Sequence, residues 1–352
     1  MVTDEHVPAR RGVARRAVAW LRGVGALLLS VAVVEYFLLP RLVEARAQVS
    51  LLGDISVPLM VVALLLEAAS LAAYTCLTQV LLRGGRTLPF GTQLRIDLTG
   101  YGASHVVPGG GATAAALRYR LMVARGIAPG AAVSLAAVQT LLAAVALLGV
   151  ATVGQVLTAA RIGVNAMTVA LVVAVLVVLT AGGSFLAHDA GPVPPRVAPE
   201  LGDGRLDRAR RRTARWWSRV VAVARQIRDQ LRRAPTRRRG LSWASANWVL
   251  DAACLWVCLA AYGEVMSPEL VLSAYGVAGL LGLLPVTPGG LGVIEGTLVP
   301  GLVVLGGASG PVVLGVLTWR VLQFWLPVPV AAVTWLSLRL ERGVPRVARP
   351  GG

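Results

Sequence analysis

Long apolar stretches alternate with short arginine-rich segments along most of the chain. A bilayer-spanning helix needs roughly 18 or more apolar residues, and six stretches reach that length: 18–39, 57–82, 129–158, 164–187, 241–263 and 311–338. Two further regions, 87–125 and 267–307, are apolar but interrupted by polar residues, prolines and glycines. The pattern predicts an all-α polytopic membrane protein with six transmembrane helices and two broken or re-entrant hairpins.

Each broken region turns at a cluster of proline and glycine, at 107–111 in the first region and at 285–292 in the second. Proline removes a backbone donor and glycine weakens a helix, so both clusters should interrupt one. Such breaks persist at membrane depth only where they are buried in protein or line a cavity. Paired breaks in two halves of a chain indicate an inverted repeat with a site near the midplane. The arms of the second hairpin are also long enough to cross, so eight full spans is the competing count.

The distribution of arginine predicts the topology, since the chain contains no lysine. Arginine is dense before the first apolar stretch, in 188–240 and after the last stretch, which places both termini and this loop in the cytoplasm. The predicted parts are an N-terminal membrane half, a basic cytoplasmic linker, a C-terminal membrane half and a cytoplasmic tail, at 1–187, 188–240, 241–340 and 341–352. The first stretch has no small-residue cleavage site, which favours an uncleaved transmembrane helix.

The basic linker has two parts. Residues 189–204 contain four prolines and several glycines, which is typical of a flexible segment. In 206–233, apolar residues that include Trp216 and Trp217 recur at helical spacing among many arginines. This pattern predicts an amphipathic helix on the anionic inner leaflet. The alternative is a charged, solvated connection between the two halves.

Composition agrees with a membrane protein. The chain has 352 residues, of which 56% are apolar and only 14% are charged, whereas soluble domains carry roughly 25% charged residues. The net charge of +17 could indicate nucleic-acid binding, but the arginines lie between apolar stretches and are better explained by topology. The three cysteines lie within apolar runs and have no further ligands nearby, so we predict core residues and no metal site. The absence of lysine suggests a bacterial genome rich in G and C.

Motifs for nucleotide or hydrolytic chemistry are missing, so we expect no cofactor, and ionisable residues in apolar segments are the remaining candidates. Glu295 and Arg320 lie in consecutive apolar segments, where opposite charges should pair or face a wet cavity. Arginine binds phosphate in a bidentate manner, so Arg320 is a candidate ligand for a lipid phosphate. The predicted substrate site also includes the turn residues Pro288, Gly289 and Gly290. A purely structural ion pair is the alternative.

Two arginines follow the first break. Arg118 and Arg120 are spaced by two residues and point to different sides of a helix, so at most one faces a shared cavity. Both are candidate headgroup ligands, and the alternative is that they are charges on the cytoplasmic side.

Four further ionisable residues are candidates for a proton or polar relay. Glu67 and Asp251 lie inside predicted spans, where each could bind a proton or pair with an arginine. Asp97 and His105 lie in the first broken region. A lone histidine beside a turn could relay protons but is more often only hydrogen-bonded.

The segment 279–320, with its Pro/Gly break, Glu295 and Arg320, resembles the C-terminal signature of the lysylphosphatidylglycerol synthase transmembrane, or flippase-like, family. The earlier glycines and Arg118 resemble the other polar motif of that family, although small residues replace its acidic residue at 112–113. This departure argues against a paired role for Arg118. The resemblance implies the fold of the membrane half of bacterial multiple peptide resistance factors, which move aminoacylated phosphatidylglycerol between leaflets. We expect no counterpart of their soluble synthase domain in this chain.

These observations support two hypotheses. The first is a flippase or transporter of anionic phospholipid or lipid-linked intermediates, in which arginines near the midplane neutralise the phosphate of the headgroup. The second is an integral-membrane enzyme on a phospholipid or polyprenyl-phosphate headgroup, with Glu295 as the base. The isolated charges favour transport over enzymatic activity. Expected partners are anionic lipid headgroups and either a second copy of the chain or a separate synthase. A scaffold that recruits partners through the basic helix is a third hypothesis.

Overall fold

The computed structural model describes residues 55–82, 85, 87–106, 110–187, 221–222, 224–284 and 287–341. The regular elements in this part of the chain are helices: α1 Val57–Leu82, α2 Phe90–Val106, α3 Gly110–Val123, α4 Pro129–Ile162, α5 Ala166–Ala187, α6 Ala234–Ala260, α7 Pro268–Gly282, α8 Val293–Val304, α9 Ser309–Arg320 and α10 Pro327–Leu340. A short 3-10 turn, Pro288–Gly290, precedes α8, and a π-helical segment, Val321–Trp325, joins α9 to α10. The predicted span at 18–39 lies outside the described residues.

Within the described ranges, five helical runs are long and apolar enough to cross a bilayer. They are α1, α4, α5, α6 and the continuous run Ser309–Leu340, and they confirm the predicted spans at 57–82, 129–158, 164–187, 241–263 and 311–338. The run formed by α6 begins seven residues before its predicted start, at Ala234. Pro235 then lies in the first turn, where its missing N–H removes no intrahelical hydrogen bond.

Both regions predicted to be broken form pairs of short helices. The first pair is α2 and α3, and the second is α7 and α8, which have 15 and 12 residues. At 1.5 Å per residue, these two helices are about 22 and 18 Å long, less than the roughly 30 Å hydrocarbon core. This length favours a broken hairpin over two further full spans. A re-entrant position of either pair stays a prediction.

Glycine conformation explains where the second pair is interrupted. The backbone φ angles of Gly289, Gly290 and Gly292 are 60°, 70° and 79°. Side chains with a Cβ atom disfavour this left-handed region, whereas glycine adopts it freely. The three glycines therefore allow the chain to turn between α7 and α8 without steric strain.

Helices of each half pack against helices of the other half. Helix α1 packs along α6, α2 packs against α10 of the other half, and α7 packs against α4. The first arm of each helix pair thus contacts a long helix of the opposite half. An inverted repeat of the two halves stays a prediction.

Two hydrophobic clusters form the core, and each contains residues of both halves. The first lies mainly among α6, α7, α8 and α9 and also includes Ala63 of α1 and Leu147 of α4. The second lies mainly among α1, α2, α3 and α4 and also includes Ala244 of α6 and Leu338 of α10. Cys254 and Cys258 are buried in the first cluster as free thiols, in agreement with their predicted role as core residues. Most of the apolar surface of α5 is exposed, which suits a helix that faces lipid.

Part of the predicted amphipathic helix is described by the structure. Residues 224–232 are helical, whereas 188–220 lie outside the description, including Trp216, Trp217 and the predicted flexible segment. Ile227 and Leu231 pack in the second hydrophobic cluster. Arg232 Nε donates to the carbonyl of Leu186 at 2.9 Å. This part of the apolar face therefore contacts protein, and an interfacial position for the rest of the segment stays a prediction.

The contact between α4 and α7 yields a testable prediction, because two glycines allow the helix backbones to touch. A Cβ atom on Gly276 would lie 2.4 Å from Ala151 Cα, and one on Gly154 would lie 2.7 Å from Ser273 N. We expect Gly276→Val to lower the free energy of unfolding by about 1–3 kcal/mol, as overpacking does in tight cores. Thermal unfolding in detergent measures the change.

Gly149→Ala is the matched control, because Gly149 lies on α4 with open space around its would-be Cβ atom. This control should not lower stability. Equal unfolding temperatures for Gly276→Val and the unmodified protein would contradict the close approach of α4 and α7.

Candidate functional site

Arg320 and Glu295 form a buried ion pair beside the second break, as their positions predict. Arg320 lies at the end of α9, and its Nε donates to Glu295 Oε1 at 2.6 Å. The other carboxylate oxygen, Oε2, accepts from the backbone N–H of Gly292 at 2.7 Å, at the start of α8. Glu295 thus caps the positive end of α8 while it neutralises the arginine.

The remaining nitrogens of Arg320 are also bound. Its two terminal nitrogens donate to Gln323 Oε1 at 3.1 Å and to the carbonyl of Gly290 at 3.3 Å. The guanidinium carbon lies 5.5 Å from the ring centroid of Trp319 and 5.3 Å from that of Phe324. Aromatic faces and hydrogen bonds therefore fix the orientation of a cation that is only 3% exposed.

A hydrogen-bonded chain connects this site to the N-terminal half. Gln323 Nε2 donates to the hydroxyl of Tyr101 on α2 at 2.7 Å. The hydroxyl of Tyr101 donates in turn to the backbone carbonyl of Gln323 at 3.2 Å. Arg320, Gln323 and Tyr101 therefore join α9, the π segment and α2 into one polar network.

The end of α2 lies directly against the second break. The ring of His105 lies 4.2 Å from that of Phe324 and 4.7 Å from that of Tyr101, between centroids. A Cβ atom on Gly289 would lie 2.3 Å from Phe324 Cε2 and 3.1 Å from His105 Cδ2. Nδ1 of His105 is buried without a hydrogen-bond partner in the described part of the chain. The C-terminal end of α2 therefore meets the turn between α7 and α8. Residues 107–109, which follow α2, are not described.

The π-helical segment is a feature of the site that hydropathy did not predict. The N–H of Leu326 donates to the carbonyl of Val321 at 2.8 Å, five residues earlier. Pro327 has no N–H, so it cannot satisfy the carbonyl of Gln323 four residues before it. Tyr101 supplies that donor instead. In the sequence, Pro327 was the residue that could have indicated an interruption of α-helical hydrogen bonding here.

Arg118 is buried and paired, although the small residues at 112–113 left it without an evident acidic partner in the sequence. One of its terminal nitrogens donates to Asp97 Oδ1 at 2.6 Å, and its Nε donates to the same oxygen at 3.1 Å. The acidic partner comes from α2 instead of the position after the glycines, where the family motif places it. Helix packing brings these residues together, and the motif could not reveal that.

Three other helices hold the Arg118 cluster in place. Arg118 also donates to Tyr74 on α1 at 2.9 Å and to Gln139 on α4 at 2.9 Å. Its aliphatic stem fills the space over Gly100, where a Cβ atom would lie 2.3 Å from Arg118 Cγ. Arg120 is exposed, in agreement with the prediction that at most one of the two arginines faces the interior. The predicted arginines therefore belong to two separate groups, one around Arg118 and one around Arg320.

Glu67 and Asp251 contact each other instead of an arginine. They lie in the middle of α1 and α6, are 3% and 6% exposed, and their carboxyl groups lie close enough to interact directly. Asp251 also accepts hydrogen bonds from the Tyr275 hydroxyl at 2.7 Å and from Trp319 Nε1 at 2.6 Å. A cavity of about 100 Å³ adjoins Asp251 and is also lined by Gln323. Among the described side chains, no three His, Cys, Asp or Glu residues converge as a metal site requires.

Comparisons with known proteins agree with this architecture. The chain belongs to the family of the lysylphosphatidylglycerol synthase TM region, whose sequence model matches residues 20–331. It is 27% identical over 98 residues to the inner membrane protein YbhN of Escherichia coli strain K12, a segment that covers 28% of this chain and 30% of that protein. It is 30% identical over 165 residues to a UPF0104 membrane protein of Methanothermobacter thermautotrophicus, which covers 41% of this chain and 44% of that protein.

These matches confirm the predicted family and show that the chain is a multi-pass membrane protein. The matched segments span less than half the length of either relative.

Proposed function

We propose that the protein moves an anionic phospholipid or a lipid-linked intermediate between the leaflets of the cytoplasmic membrane. The observation that carries this proposal is the position of Arg320: a buried cation beside a broken helix, paired with a carboxylate that has a second bonding partner. Facilitated transfer of this kind needs no nucleotide site.

A lipid phosphate can take the place of Glu295 at Arg320. Phosphate oxygens match the forked donors of a guanidinium and accept two parallel hydrogen bonds. Glu295 would still accept from Gly292 N–H and cap α8, so its charge keeps a favourable partner during the exchange. The site can thus pass from an internal ion pair to a lipid complex without leaving an isolated charge.

Exposed apolar residues lie beside the site, where the acyl chains of a lipid can pack. Leu283 and Leu284 at the end of α7 are 50% and 53% exposed, and Val321 and Trp325 of the π segment are 53% and 42% exposed. These residues face lipid if the apolar surface of the helices lies in the bilayer. The acyl chains of a lipid can therefore remain in the membrane while the headgroup reaches Arg320.

Arg118 is less suited to bind a headgroup. Its partners come from α1, α2 and α4, which enclose it on several sides, and its stem packs against Gly100. We infer a structural role for the Arg118 cluster, in which it holds the first helix pair against the N-terminal half.

A headgroup-modifying enzyme with Glu295 as the base is the alternative. Both oxygens of Glu295 accept short hydrogen bonds, from Arg320 and from Gly292. A general base must lie within hydrogen-bond reach of the proton that it removes, so this alternative also requires the ion pair to open.

Transfer of fluorescent lipids in proteoliposomes tests the proposed function. We expect purified protein to transfer labelled phosphatidylglycerol at least about tenfold faster than labelled phosphatidylcholine, because the choline cation offsets the charge of the same phosphate and weakens its pairing with Arg320. A tenfold difference corresponds to about 1.4 kcal/mol. Mass spectrometry of the recovered lipids runs in parallel. Unchanged lipid masses are expected, and a new lipid product would instead support the enzyme alternative. Equal rates for both headgroups would contradict selection of a net anionic headgroup at Arg320.

A further inference from the structure

The contact between Glu67 and Asp251 places two buried carboxyl groups at one point in the middle of the fold. Two carboxylates in contact repel each other strongly when both are ionised and neither is solvated, so such pairs share a proton. The two residues lie on α1 and α6, the helices that join the N-terminal and C-terminal halves most extensively. A change in the protonation of this pair therefore acts where the two halves meet.

Hydrogen bonds indicate which residue holds the proton. Asp251 Oδ1 accepts from Trp319 Nε1 at 2.6 Å and Oδ2 accepts from Tyr275 at 2.7 Å, so both oxygens are stabilised as acceptors. Glu67 Oε2 has no hydrogen-bond partner in the described part of the chain. A neutral Glu67 that donates to an ionised Asp251 accounts for both observations.

The charged and titratable groups around the pair come from several helices. Tyr275 of α7 donates directly to Asp251. Arg320 of α9, Tyr101 of α2 and the thiols of Cys254 and Cys258 of α6 lie near enough to the pair to interact electrostatically with it. Arg320 is the cation among these groups. The arginine that would bind a headgroup is therefore also the cation that interacts with the charge of the carboxyl pair.

A short path links the pair to Arg320. Trp319, which donates to Asp251, precedes Arg320 on α9. Gln323, which accepts from Arg320, lines the same small cavity as Asp251. An anion bound to Arg320 reduces the positive potential at Asp251, which favours a proton on the carboxyl pair. Thermodynamic linkage requires that the proton favours the anion by the same factor.

We propose that the Glu67–Asp251 pair is a proton site coupled to the Arg320 site, so that an anionic headgroup and a proton cross the membrane together. The coupling rests on the proposed lipid transport, whereas the shared proton does not. Each part therefore needs a separate measurement.

Infrared difference spectroscopy of the purified protein measures the shared proton without any transport. We expect a carbonyl band from a buried, protonated carboxyl group. This band should shift in heavy water and disappear in Glu67→Gln. The glutamine amide keeps a donor toward Asp251, so this variant should fold. Glu264→Gln is the control, because Glu264 is a half-buried carboxylate that accepts from Ala308 N–H at a helix end. Its spectrum should keep the band, and a band that persists in Glu67→Gln would overturn the assignment.

Lipid transfer under a pH gradient measures the coupling. With the membrane potential clamped at zero, one coupled proton shifts the steady-state distribution of labelled phosphatidylglycerol by up to about tenfold per pH unit. The label should accumulate on the alkaline side. Glu67→Gln and Asp251→Asn should both lose this response, while Glu264→Gln keeps it. Transfer without any response to the gradient, or accumulation on the acidic side, would overturn the coupling.

The two measurements also separate failure of this inference from failure of the proposed function. A carboxyl band without any lipid transfer would retain the proton site and reject lipid transport. Rapid, headgroup-selective transfer without the band would reject the proton site and retain lipid transport.

Discussion

Replacing either Arg320 or Glu295 with glutamine is expected to lower the free energy of unfolding by about 3–5 kcal/mol, the cost of breaking a well-buried ion pair from one side. Each variant leaves the other charge without its partner in a site where the arginine and glutamate side chains are 3% and 12% exposed. Thermal unfolding in detergent and the yield of monodisperse protein measure the loss.

Exchange of the two charges is the control for this prediction. Glu295→Arg combined with Arg320→Glu restores opposite charges and should recover part of the stability. Recovery should be incomplete, because an arginine at position 295 faces the positive end of α8, which favours a carboxylate. Normal stability of Arg320→Gln would contradict a structural role for the pair.

The second large effect is expected at the Arg118 cluster. Asp97→Asn should lower the free energy of unfolding by about 3–5 kcal/mol, because it removes the buried charge that accepts two hydrogen bonds from Arg118. Arg120→Gln is the matched control on the same helix, since Arg120 is exposed. Surface changes of this kind usually alter stability by less than about 0.5 kcal/mol.

A double variant tests whether charge pairing causes the loss at Asp97. Apolar replacement of both partners, Asp97→Leu with Arg118→Met, removes both charges and leaves none isolated. Such replacements are often less destabilising than removal of one partner. We therefore expect the double variant to be more stable than Asp97→Asn in the same unfolding assay. Equal losses in Asp97→Asn and Arg120→Gln would contradict a buried pair at Arg118.

Much of the membrane fold could be predicted because hydropathy and helix breakers act locally. The span at 57–82 coincides with the observed helix, and the glycines at 289–292 lie where the second helix pair is interrupted. The pairing of Glu295 with Arg320 was also predictable. Two opposite charges in consecutive apolar segments have few alternatives to pairing in a bilayer.

Contacts between helices far apart in the sequence could not be predicted in the same way. Asp97 meets Arg118, and Glu67 meets Asp251, only because of how the helices pack. A single sequence shows that each of these ionisable residues lies in an apolar segment. It does not show which helices pack against each other. The replacement of the acidic residue at 112–113 therefore suggested an unpaired Arg118, when α2 supplied the partner.

The reciprocal packing of the halves adds a physical reason for the location of the site. Helix α2 of the first half contacts α10, and its end carries His105 to the turn that holds Gly289. Tyr101 on the same helix completes the hydrogen bonds of the π segment. The polar network at Arg320 is therefore built by both halves, as expected for a site between two repeats.

The most direct test of the proposed headgroup site compares lipid transfer by the unmodified protein and by the charge-exchanged variant, reconstituted in equal amounts of folded protein. Pairing tolerates exchange of the two charges, whereas phosphate recognition does not, since a glutamate at position 320 repels the headgroup. We expect the variant to lose the preference for labelled phosphatidylglycerol over phosphatidylcholine while it retains folded yield above that of Arg320→Gln. Unchanged transfer and headgroup preference in the exchanged variant would contradict the assignment of Arg320 as the phosphate ligand.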